Sequence, residues 1–64
     1  MTRGKLQNYK RKVVYILVKH FNWDQKRAII WTNDNHEYMR AMFLSFSPHS
    51  ATAAYIAQME ENNG

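Results

Sequence analysis

Leu6, Tyr9, Val13, Ile16 and His20 recur at intervals of three, four, three and four, the period at which side chains return to one side of an α-helix. Inside that series lies an unbroken apolar run, residues 13–18, closed by Lys12 and Lys19. Val13, Val14, Tyr15, Ile16 and Val18 are β-branched or aromatic types that strands favour, so a buried strand is the competing reading. Nothing downstream offers it a pairing strand, and the spacing predicts a helix over about 5–21. At about 100° per residue, Leu6, Tyr9, Val13, Val14, Ile16, Leu17, Val18 and Phe21 cover roughly 200° of that helix. One neighbour needs far less, so this is expected to be a long central helix. His20 falls on its apolar stripe and reads as a core or boundary histidine.

Three later signatures mark helix starts. Asn22 supplies a side-chain acceptor ahead of Trp23, Asp24 and Gln25, placing a cap, a first-turn acid and a capping-box glutamine in order. The second helix then runs to about Thr32. Asp34 and Glu37 repeat the cap-and-acid pattern, and the polar residues 33–35 predict a break before a third helix over about 35–45. Ser47 followed by Pro48 predicts a hydroxyl cap with proline at the first helical position, where its missing N–H costs nothing. The fourth helix is expected over about 48–60. The fold class is therefore all-α: residues 1–64 form a single small domain, a compact bundle of about four short helices, with residues 1–4 and 61–64 expected to fray.

A chain this short hides only about 60% of the surface its unfolded form exposes, so most buried positions serve folding. Without cysteine, disulfides, thiolate nucleophiles and cysteine zinc sites are excluded. The expected core comprises Trp23, Ile30, Trp31, Met39, Met42, Phe43, Phe46, Tyr55, Ile56 and Met59. Ala51, Ala53, Ala54 and Ala57 give the fourth helix small side chains that let another backbone approach; the first helix is its expected neighbour. The longest apolar run is too short for a membrane span or a signal-peptide core, and a cytoplasmic location is expected.

Charge is distributed unevenly. Residues 1–27 hold eight of the nine basic side chains and one acid, while residues 28–64 hold Arg40 against Asp34, Glu37, Glu60 and Glu61. On the first helix Asn8, Arg11, Lys12, Tyr15 and Lys19 project within roughly 100° of one another. Ammonium and guanidinium groups neutralise phosphate and an aromatic face stacks on a base. Lys5, Arg11, Lys12, Tyr15, Lys19, Lys26 and Arg27 are accordingly the candidate nucleic-acid-binding residues. A solvated lysine face with one exposed tyrosine is the plainer explanation of the same pattern. An acidic protein surface or anionic lipid would also satisfy it.

A helix-turn-helix can be threaded through the second and third helices, with Ala28 inward, but Glu37 would then meet DNA. Threading the third and fourth helices, with Ala41 inward, offers His49, Ser50, Thr52, Ala53 and Gln58 to base edges, yet brings no cation to the phosphates. His20, His36 and His49 fall on three different helices without an i, i+4 ligand partner, so no metal and no cofactor is expected. Ser45, Ser47 and Ser50 lack a Gly-rich oxyanion loop, and Glu60 and Glu61 point apart on a helix. An enzyme is not expected. The expectation is a small regulatory binding protein of prokaryotic or phage type, with nucleic acid as the leading partner. The alternative is a protein-binding adaptor or inhibitor that grips a partner, or a second copy in a homodimer, through exposed aromatic and Met side chains. Trp23, Trp31, Tyr38 and Phe46 are its candidates, since Trp and Met are enriched where small domains bind partners.

Overall fold

The computed structural model describes residues 2–63: four helices, α1 (Thr2–Phe21), α2 (Gln25–Asp34), α3 (His36–Leu44) and α4 (His49–Asn63), with no strand among the described residues. At 1.5 Å per residue α1 is about 30 Å long, close to the 35 Å long axis of the molecule. It packs on α4, α2 and α3, most extensively on α4, so the wide apolar arc does mark the central helix. Tyr9, Val13 and Leu17 of α1 meet Ala53, Ile56 and Ala57 of α4 in the core, with Trp23, Ala28 and Met39 completing it.

The helix boundaries differ from expectation for local reasons. Asn22 is the left-handed residue that ends α1, at φ 60°, and does not cap α2. Asn tolerates this conformation better than other side-chain-bearing residues. The cap is Asp24, whose carboxylate accepts from the Lys26 N–H at 3.2 Å. Asp34 closes α2, where a cap for α3 was expected, and the break is the single residue Asn35. Its side-chain amide donates to the Trp31 carbonyl at 2.9 Å, capping α2 and leaving α3 without a side-chain cap.

Ser47 likewise caps no helix. Its hydroxyl lies 3.2 Å from that of Ser45, while the Pro48 carbonyl accepts the first bond of α4 from Thr52 N–H. Helix extends over residues 2–4 and 61–63; Met1 and Gly64, which the fraying expectation also covers, lie outside the described residues.

Several large side chains expected in the core are outside it. Ile30, Tyr55 and Met59 are exposed, and Phe46 is 92% exposed. Ala28, Ala53, Ala57, Thr32 and Thr52 occupy the interior positions, and such small residues let the helices approach until little room remains between them. His20, expected on the apolar stripe, is exposed near the end of α1. Phe46 ends α3 at φ 58°. Its N–H bonds the Phe43 carbonyl and the Ser47 N–H bonds that of Met42, both at 3.1 Å, the paired bonds of a Schellman motif, whose left-handed position usually holds glycine.

Polar groups inside the bundle are partnered. The Tyr9 hydroxyl donates to the Ser47 carbonyl at 2.8 Å and accepts from the Thr52 hydroxyl at 2.6 Å, tying α1 to the start of α4. Its ring meets Phe43 edge-on at 5.6 Å and tilts over His49 at 4.8 Å. On the opposite flank Glu60 of α4 accepts from the Trp31 indole at 3.1 Å and pairs with Arg27 at 3.6 Å. Desolvation, with the neighbouring Tyr9 and Tyr55 phenols, raises the pKa of the Tyr38 hydroxyl above the ordinary tyrosine value.

Candidate functional site

The cationic strip of α1 is assembled from two rows that follow from helical geometry. Lys5, Lys12 and Lys19 repeat every seven residues, drifting about 20° per step, and Arg11, Tyr15 and Lys19 repeat every four, about 6 Å apart along the axis. All five side chains of the expected polar arc, from Asn8 to Lys19, are exposed. Tyr15 is 61% exposed, and the Lys19 ammonium lies 6.0 Å from its ring centroid.

Between α1 and α2 runs a groove of about 630 Å³, within the 300–1,000 Å³ that ligand sites commonly occupy. Val14 and Val18 from α1 and Ile29 from α2 supply its apolar surface, Arg11, Tyr15 and Lys19 stand on the α1 side, and Gln25, Thr32 and Asn33 stand on the α2 side. None of the described residues lining it is acidic.

Lys10 also lines this groove and is only 8% exposed. Its ammonium donates to Nδ1 of His36 at 2.7 Å. A buried charge is costly unless paired, yet the ion pair among the described residues is Arg27 with Glu60. Lys10 thus brings a positive charge to the groove wall with a ring nitrogen as its partner and no carboxylate.

Of the seven candidate nucleic-acid-binding residues, Arg11, Tyr15 and Lys19 share the groove rim, and Lys5 and Lys12 extend the exposed strip beyond it. Lys26 is exposed and lies within about 20° of the groove-lining Asn33 on the α2 wheel. Arg27 is not brought to the groove: its guanidinium lies 4.0 Å from the Trp23 ring centroid and pairs with Glu60. The proposed aromatic patch also changes. Trp23 is buried beneath Arg27, whereas Trp31 and Tyr38 are half-buried and meet edge-on at 5.8 Å. Phe46 alone of the four is widely exposed.

The helix-turn-helix threaded through α3 and α4 is excluded as a base reader at two of its positions, because Thr52 and Ala53 are buried. Among the described residues no group of three His, Cys, Asp or Glu side chains could hold a metal ion, and no helix is long and apolar enough to cross a membrane. No family model, curated protein or solved structure matches the chain.

Lys10, Ile29 and the polar residues of α2 are the site components that the charge pattern missed. Lys10 lies seven residues before Leu17, hence within about 20° of it on the wheel. That position inside the apolar arc was the available signal.

Proposed function

We propose that this protein is a small, non-enzymatic regulator that binds nucleic acid in the cytoplasm through the basic face of α1. Arg11, Lys12 and Lys19 carry the phosphate contacts, with Lys5 and Lys26 at the margins. One observation carries the reading: exposed cations collect on a strip that borders an apolar groove free of acidic lining residues among those described. A merely solvated cationic face needs no such groove, and an anionic ligand with an apolar part fills both. Charge reversal tests it. Arg11→Glu combined with Lys19→Glu is expected to abolish binding while the helical circular-dichroism signal stays, because both side chains are outside the core.

The second reading, a protein-binding adaptor or homodimer, is favoured by Phe46. A phenyl ring held 92% exposed at φ 58° gains little from its own fold, and Leu44, two residues before it, is also exposed. A partner covering this corner would bury both. Phe46→Ala would then weaken a complex or dimer and leave nucleic-acid affinity unchanged.

A further inference from the structure

We infer that the α1/α2 groove seats one unpaired nucleotide of a single strand, its base against Val18, Ile29 and the Tyr15 ring and its flanking phosphates at Arg11 and Lys19. The inference rests on the phosphate-binding reading above and specifies the nucleic acid.

Arg11 and Lys19 lie one helical step of about 6 Å on either side of Tyr15. An aromatic face between two cations matches a nucleotide, whose base lies between two phosphates along the chain. Duplex DNA presents phosphates to a helix but keeps its bases stacked inside. It would meet the strip and leave the groove empty. An extruded base instead covers Val18 and Ile29, and the exposed Ile29 gains most from this. The amides of Gln25 and Asn33 on the α2 side offer both donors and acceptors, which unpaired base edges require. Lys10 adds a positive charge at the wall with no carboxylate paired to it among the described residues. An acidic amphipathic helix would satisfy the cations and the apolar surface, but it leaves the tyrosine face and the amides without their complements.

The test compares three probes by fluorescence anisotropy or competition at one salt concentration: an oligothymidylate, a duplex of equal length, and inorganic polyphosphate. Tyr15→Ala and Ile29→Gln are each expected to lower oligothymidylate affinity about tenfold, as loss of one stacked base implies, and to leave the other two within about twofold. Lys12→Ala, outside the groove, should lower all three alike. Methyl resonances of Val18 and Ile29 in the unaltered protein should shift with oligothymidylate and not with polyphosphate, a readout independent of how the variants fold. Equal losses on all three probes would overturn the nucleotide seat while leaving phosphate binding intact. Absence of binding to every probe would overturn both. Methyl shifts with an acidic amphipathic peptide but none with oligothymidylate would overturn the nucleotide seat and assign the groove to a protein, whatever the strip binds.

Discussion

The Lys10 ammonium lies 2.7 Å from Nδ1 of His36, a bond that joins α1 to the first residue of α3 and holds a buried cation at the wall of the groove. Replacing Lys10 with Met removes the cost of burying the charge together with the hydrogen bond. Water can take over at His36, which is exposed. Lys10→Met should therefore leave urea stability within about 1 kcal/mol and lower nucleic-acid affinity several-fold. Unchanged affinity would show that this charge does not act on the ligand.

Tyr9 is the polar pivot of the bundle. Tyr9→Phe keeps the ring contacts with Phe43 and His49 but leaves the Ser47 carbonyl and Thr52 hydroxyl without their partner. A loss of about 1–3 kcal/mol is expected in chemical denaturation. Combined with Thr52→Val, the total should fall short of the two single losses added together, because the second change removes the group the first one orphans. Full additivity would contradict the bond.

Phe46 occupies a left-handed position, at about 1–2 kcal/mol for a side-chain-bearing residue, and packs little in return. Glycine would relieve that strain and cost about 0.4–1 kcal/mol through the freer unfolded chain. Phe46→Gly should therefore stabilise the isolated protein by about 0.5–1 kcal/mol. Destabilisation would mean that the ring packs against the bundle after all.

Tyr38 sets an alkaline limit. Its raised pKa means that folding favours the neutral phenol, so this contribution is intact below the unfolded value of about 10 and is lost as pH rises through the folded value. Between about pH 9 and about pH 11 the protein should lose more stability than its Tyr38→Phe variant. Equal losses would show that Tyr38 is not the source of the alkaline sensitivity.

The number and order of the helices were legible because spacing and punctuation are local: the three–four series in α1, Asp24 ahead of α2, and Pro48 ahead of α4. Which residue carries each cap was not. Asn22 and Asp24 both satisfy the composition rule, and the left-handed end of α1 claims Asn22. The cationic strip was legible for the same local reason, since one helix alone brings Arg11, Tyr15 and Lys19 together. The groove needs a second helix at a particular angle, so Ile29, Gln25 and Asn33 carried no sign of it. The pairing of Arg27 was not legible, because its partner Glu60 lies far along the chain on α4. Large residues such as Ile30 and Tyr55 attracted core assignments by size, whereas the helices close on Ala28, Ala53 and Ala57.

The most direct test of the phosphate-binding account is a salt titration of affinity for a short duplex with the protein and two variants, Lys12→Gln and Arg27→Gln. Five phosphate contacts, from Lys5, Arg11, Lys12, Lys19 and Lys26, give log affinity a slope of about −4.5 against log salt. Lys12→Gln should reduce that slope by about one, while Arg27→Gln, whose charge is engaged with Trp23 and Glu60, should leave it unchanged. A slope that moves with Arg27 and not with Lys12 would contradict the assigned face. No complex at micromolar protein in about 150 mM salt with duplex DNA, single-stranded DNA or RNA would contradict the function itself, since even non-specific binders reach about 10⁻⁴ to 10⁻⁶ M there.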